Sequence, residues 1–226
     1  MTVRIEDREP GIRMLLLDRP ASRNAIDMSV VRGLHEGLAS AAGGVVILSS
    51  TAPASFSSGA DLGLSDDERK AVSDGLYDLY MLMRSTPRPI IAAASGHAVG
   101  GGAQLLIASD LRIAGPDLAI RFMGPGHGLA VGAWGLPSLV GRGRAIDLCL
   151  SMRPVGAEEA LSIGLVDRVA ADPLDEATAY ARHILSLDSE AVAAVKRISD
   201  VPDPNRALSL EMEHNAGWDG AAAPRE

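Results

Sequence analysis

One cysteine, Cys149, leaves no route to an internal disulfide and suits a reducing compartment, so a cytoplasmic location is expected. Lysine is almost absent, with only Lys70 and Lys196. A net charge of -8 argues against nucleic acid as the partner. No apolar run is long enough to cross a bilayer. The first residues lack the basic start and apolar middle of a signal peptide, so no membrane role is expected. The five histidines are scattered and the cysteine stands alone, which leaves no metal-ligand cluster. Gly100-Gly101-Gly102 lacks both the glycine spacing of a dinucleotide loop and the Lys-Ser/Thr of a nucleotide-phosphate loop.

The 226 residues suit one domain with ample chain for a core. The opening reads as paired strands, Val3–Arg8 and Ile12–Leu17, turned at Pro10-Gly11. Helical spacing of Val30, Val31, Leu34 and Leu38 predicts a helix over Met28–Ala42, ended by Gly43-Gly44. Val45–Leu48 and Pro89–Ala94 read as strands covered on both faces. The polar, acidic stretch Asp61–Asp74 reads as a mobile loop entering a helix that runs through Met83. A helix over Ala103–Ser109 and strands at Leu111–Ala114 and Leu118–Phe122 follow. From Ala133 the pattern is mostly helical, broken at Pro154, Gly164 and Pro202, and Gly220–Glu226 is expected to fray. Strands alternating with helices predict an α/β fold.

The run Ala92–Leu105 carries the chemistry. A buried strand leads through Ser95-Gly96-His97-Ala98-Val99 into the glycine triplet, and an apolar helix follows. Backbone N–H groups left free at such a helix start can hold an oxyanion, and glycine lets a carbonyl approach the backbone. Phe56-Ser57-Ser58-Gly59-Ala60-Asp61-Leu62 could supply a second donor. Together the two segments resemble the crotonase (enoyl-CoA hydratase/isomerase) superfamily. Leu17–Ile26, Leu139–Ala145 and Ala157–Val169 are similar to further family motifs, in family order.

The resemblance implies repeated ββα units over residues 1–140 and a helical C-terminal region over 141–226, forming one structural unit that assembles as a homotrimer or hexamer. It implies oxyanion donors at the Ala60 and Gly101 N–H groups. It also implies contacts to an acyl-CoA thioester, as substrate or ligand with no other cofactor, at Ser22, Arg23, Asn24, Ala25, Asp61 and Leu62. Trp134 and Leu136 fall where family helices carry small residues, so the Trp134 indole either lines and shortens an acyl pocket or packs between helices. No serine lies beside a histidine where the fold's protease group would need a nucleophile.

The chain departs from the family at the acid/base positions. Hydratases of the family carry two glutamates. The first position is Gln104 here, and the second falls on Gly124 or Gly126, depending on register. No glutamate occurs between Glu68 and Glu158. An amide can orient a water but cannot exchange a proton at useful pKa. His127, close to the second position, is the candidate substitute. His97 and the acidic trio Asp66, Asp67 and Glu68 are weaker ones, the trio having a solvated helix start as its plain reading. The loop after Asp61 and the end beyond Trp218-Asp219-Gly220, which omits a further CoA-covering helix, both read as short. The expectation is an acyl-CoA enzyme of the hydratase/isomerase type that is not an ordinary hydratase. A non-catalytic acyl-CoA-binding homologue is the alternative, and a purely structural subunit a distant third.

Overall fold

The computed structural model describes residues 2–41 and 43–216; Trp218-Asp219-Gly220 and the closing Gly220–Glu226 segment lie outside them. A hairpin opens the chain, β1 (Val3–Glu9) antiparallel to β2 (Ile12–Leu17). Three strands then add in parallel: β3 (Val45–Ser50), β5 (Ile90–Ala94) and β7 (Leu111–Ala114). A short β10 (Arg168–Val169) closes this six-stranded sheet, ordered β1-β2-β3-β5-β7-β10.

Strict alternation divides the side chains of this sheet between two cores. Leu15, Leu17, Val46, Leu48, Ile90, Ala92 and Ala94 face the larger core, with α1 (Met28–Ala39) and α2 (Asp66–Ser85). Met14, Leu16, Val45, Ile47, Ile91 and Ala93 face the other side, covered by Ala177 and Ala181 of α7 (Pro173–Leu185). Both faces are dry, which is why these strands read as continuous apolar runs.

Of a second sheet, the residue pattern showed only the strand expected at Leu118–Phe122, which is β8 (Ala119–Arg121). The sheet is ordered β4-β6-β8-β9, with β4 (Ser55–Ser57), β6 (His97–Val99) and β9 (Val155–Gly156) as its other strands. These others, of two or three residues, carry no period to read. The region after residue 140 is mainly helical, with α5 (Arg142–Ser151), α6 (Ala157–Ser162), α7, α8 (Ser189–Ser199) and α9 (Pro204–Asn215), and it also supplies β9 and β10 to the two sheets. A short helix, α4 (Leu136–Val140), precedes it.

The acidic stretch after Asp61 differs from the expected mobile loop, since α2 begins at Asp66. Ser65 N donates to the Glu68 carboxylate at 2.9 Å, and Ser65 Oγ accepts from Glu68 N, a reciprocal cap that starts the helix early. Asp66, Asp67 and Glu68 occupy its first turn, where the helix dipole favours negative charge. The helix after the glycine triplet, α3 (Gly101–Ala108), likewise starts two residues before the expected Ala103. No helix among the described residues is long and apolar enough to cross a membrane.

Candidate functional site

The segment after β2 is a tight loop held by Arg19 and Asn24. The Arg19 guanidinium donates to the Ala25 carbonyl at 2.5 Å and pairs with Asp27 and Asp61, each at 3.2 Å. Asn24 adopts a left-handed conformation (φ 55) and is 1 % exposed. Its Nδ2 donates to Ser50 Oγ, Phe56 O and Ser55 O, and its Oδ1 accepts from Arg19 N at 2.7 Å. The Asn24 side chain is therefore spent inside the protein, and Ala25 is buried beside it. Ser22 bonds its own loop through Oγ to Arg19 O at 3.1 Å. Arg23 is exposed and makes no side-chain bond among the described residues.

This loop sets the position of the Gly59-Ala60 turn. Ser57 Oγ donates to Asn24 O at 2.8 Å and accepts from Gly59 N. Ile26 N donates to Gly59 O at 2.7 Å, and Asp61 N donates to Ile26 O at 2.9 Å. These two bonds flank Ala60, whose own N–H meets no protein acceptor among the described residues. Gly59 (φ 88) is required here, because a Cβ would come within 2.8 Å of Val99 O. That same point lies 3.7 Å from Gly101 N, so the two glycine-containing turns are in contact.

On the other side, Gly100 (φ 53, ψ -113) turns β6 into α3, its N–H donating to Arg121 O at 2.9 Å. Gly102 packs on β4 so closely that a Cβ would stand 2.7 Å from the Ser57 Cβ. The Gly101 N–H, at the helix start, has no protein acceptor among the described residues. Asp61 is paired with Arg19 and turns the chain by accepting from Gly63 N at 3.0 Å, while Leu62 is 73 % exposed.

Gln104 lies one turn along α3 from Gly101 and is 4 % exposed. Its Oε1 accepts from Gly132 N at 3.1 Å and from Trp134 Nε1 at 3.0 Å. The Trp134 ring stacks on Tyr80, with centroids 5.9 Å apart, and the Arg84 guanidinium stands 5.7 Å from its centroid. Tyr80 Oη donates to Gly101 O at 3.3 Å. Burial pushes the Tyr80 phenol well above its ordinary range and neighbouring Tyr77 adds to this, with the Gln104 amide opposing, so the phenol stays neutral. Trp134 is thus a wall of this site held by a named hydrogen bond, and Leu136 packs in the core.

The other proton-transfer candidates do not join it. His127 ends an exposed turn (Pro125–His127), and no hydrogen bond links its ring to Gln104, Ala60 or Gly101 among the described residues. His97 is exposed with Nδ1 3.3 Å from Ala54 O. Asp66, Asp67 and Glu68 serve the start of α2. Tyr80 and Arg84 were not singled out from the sequence, because on α2 they only continue a helical pattern. No group of three or more His, Cys, Asp or Glu residues able to hold a metal occurs among the described residues.

A mixed α/β core with two sheets and a helical C-terminal region defines the crotonase fold class. Enoyl-CoA hydratase from Bacillus anthracis superposes with a TM-score of 0.89 at 27% identity, covering 96% of this chain and 91% of that one. A Thermobifida fusca structure assigned as an enoyl-CoA hydratase, solved in complex with CoA, gives 0.84 at 26%, over 95% and 91%. Among curated relatives, the probable enoyl-CoA hydratase echA6 of Mycobacterium leprae is 33% identical over 83% of this chain and 78% of its own length. The probable enoyl-CoA hydratase echA6 of Mycobacterium bovis is 35% identical over 80% and 76%. The sequence profile of the enoyl-CoA hydratase/isomerase family matches residues 7–215, and the chain belongs to that family.

Proposed function

We propose that this chain is an enzyme of the hydratase/isomerase class that seats an acyl-CoA thioester oxygen on the Ala60 and Gly101 N–H groups without using a glutamate pair. The observation that carries this reading is the pair of unpartnered N–H groups on two turns packed against each other, beside a glutamine whose oxygen is already taken. Donors aimed at developing negative charge are the main device for thioester chemistry, and loss of one costs about 3–4 kcal/mol of barrier. Ser22, Arg23, Asp61 and Leu62 form the rim that meets CoA, with the exposed Arg23 guanidinium available to a phosphate. Asn24 and Ala25 shape that rim from inside. The solved neighbour that holds CoA supports an acyl-CoA ligand. The compartment is the reducing cytoplasm, where Cys149 stays a thiol.

The test uses purified protein on short- and long-chain enoyl-CoAs, wild type beside Gln104→Glu, with products separated by chromatography and binding followed by calorimetry. Binding of acyl-CoA without hydration by the wild type is the expected result. Hydration at the rate of an ordinary hydratase would overturn the absence of glutamate chemistry, and absence of binding would overturn the acyl-CoA reading. Binding with no turnover of any acyl-CoA would leave the ligand-binding homologue as the function.

The proposed assembly is a homotrimer or hexamer. Helix α9 buries none of its residues in one chain, and Leu208 and Met212, one turn apart, are 56 % and 66 % exposed. Val195 of α8 is exposed as well (66%), and exposed apolar side chains of this kind suit an interface between copies. Light scattering should give three or six times the 23.5 kDa chain mass, and a stable monomer would remove this assignment.

A further inference from the structure

We propose that the cavity between the end of α2 and one face of α8 is a second ligand site, taking a monocarboxylate with an unbranched apolar chain. It goes beyond the acyl-CoA reading, since its lining includes none of Ala60, Gly101, Gln104 or the CoA rim. The cavity measures about 550 Å³, within the range of about 300–1,000 Å³ that suits a small molecule. Glu190, Ala193, Ala194 and Arg197 recur at helical spacing, so a single face of α8 lines it.

Two guanidinium groups stand at one end. Arg84 pairs with Asp200 through Nη2 alone, and its Nε and Nη1 donate to no protein acceptor among the described residues. Arg197, three residues before Asp200, makes no ion pair or side-chain hydrogen bond among the described residues. Lys196 adds no donor, because its ammonium hydrogens go to Met83 O, Arg88 O and Asp110 Oδ2. The unspent donors of Arg84 and Arg197 suit a carboxylate, whose two oxygens accept from such planar forks in pairs.

Behind this end the wall is apolar, from Pro87, Ala193 and Ala194. Glu190 stands at the other end, about 10 Å of helix from Arg197. Extended octanoate spans about that distance. Glu190 has no cationic partner among the described residues, so a second negative charge on the ligand would meet it unshielded. The cavity therefore separates a monocarboxylate from a dicarboxylate of equal length. His214 completes the lining from α9, two residues from Met212 and so on the opposite side of that helix from the proposed interface. The Arg84 guanidinium is also 5.7 Å from the centroid of the Trp134 ring, so a carboxylate bound to it alters the field at the indole.

The experiment uses the full chain carrying Trp218→Phe, which leaves Trp134 as the one tryptophan. Calorimetry measures binding while Trp134 emission is followed. Octanoate should bind about tenfold more tightly than 1-octanol, suberate or inorganic phosphate, and should shift the emission. Arg197→Gln should weaken octanoate about tenfold and leave butyryl-CoA affinity unchanged. Glu190→Gln should bring suberate to the affinity of octanoate. Saturating butyryl-CoA should leave octanoate bound. Octanol or phosphate binding as tightly as octanoate would overturn the proposal, as would an unchanged octanoate affinity in Arg197→Gln. Displacement of octanoate by butyryl-CoA would place it in the acyl site and overturn the proposal as well. Octanoate binding without butyryl-CoA binding would support the proposal and overturn the acyl-CoA reading alone.

Discussion

Asn24→Ala is expected to destabilise the protein by about 4 kcal/mol, because it strands several buried groups at once. Asn24 Nδ2 serves Ser50 Oγ, Ser55 O and Phe56 O, and Oδ1 serves Arg19 N, all from a side chain on a residue 1 % exposed. Each buried polar group left without a partner costs about 1–3 kcal/mol, although Ser50 Oγ retains other bonds. Alanine must also hold φ 55, a conformation that asparagine tolerates and alanine pays about 1 kcal/mol to adopt. For a domain of this size the midpoint of thermal unfolding should drop by about 10 °C. The site suffers with the fold, since Ser57 Oγ reaches back to Asn24 O to place the Gly59-Ala60 turn. Acyl-CoA affinity should therefore fall below detection well under the new midpoint. Asn24→Gly separates the causes: it relieves the backbone strain and still removes every side-chain bond, so it should recover only a small part of the loss. Urea unfolding is the measurement. An alanine variant within about 1 kcal/mol of wild type would show that water replaces these bonds.

The case of Asn24 also shows where sequence reasoning reached and where it stopped. Its motif placed the loop beside the site but not its side chain, because nothing in the spacing says whether an amide faces a ligand or the carbonyls of β4. The two-sided core of the large sheet was open to reading, since Val45–Leu48 is apolar throughout, Ile12–Leu17 is so but for Arg13, and each run follows a glycine. Of the second sheet only β8 was, because β4 and β6 are too short for a period and owe their existence to pairing partners tens of residues away. Glycine chemistry at Gly59 and Gly100–Gly102 was visible as a cluster, and its geometry gave it meaning through a close approach to Val99 and Ser57. Tyr80 and Arg84 had no signal. Each sits on the regular face of a long helix, and their place beside Trp134 depends on a loop more than forty residues on. At Gln104 the identity of the residue was informative, but the partners of its oxygen were not, and those partners decide what it can do.

Lys196→Met is the second large expected effect, about 3–4 kcal/mol. The ammonium is almost fully buried, with a side chain 7% exposed, and donates to Met83 O at 2.9 Å, Arg88 O at 2.9 Å and Asp110 Oδ2 at 2.8 Å. All three of its hydrogens are used, which is how a lysine is tolerated at this depth. Burial lowers its pKa and the Asp110 carboxylate opposes that fall, while burial raises the pKa of Asp110 against the pull of Lys196. Methionine keeps the packing and leaves two carbonyls and a carboxylate facing an apolar chain. Arginine does not repair it, because the three acceptors converge on one point and a planar guanidinium spreads its donors. Adding Asp110→Asn to Lys196→Met should cost less than the sum of the two single changes, with a coupling of about 1–3 kcal/mol by urea unfolding. Strict additivity would show that the pair does not interact. The effect should extend to ligand binding. Lys196 fastens α8 against the end of α2 and the entry to β5, and from the same α2 turn Arg84 pairs with Asp200 beyond α8 while standing over Trp134. Loosening α8 releases Arg84, then the indole it covers, then the Gln104 oxygen that the indole holds. The helical region thereby sets the stiffness of a site whose N–H donors lie on other elements, and a fall in acyl-CoA affinity in Lys196→Met, with no change at Ala60 or Gly101 themselves, is the result that follows from it.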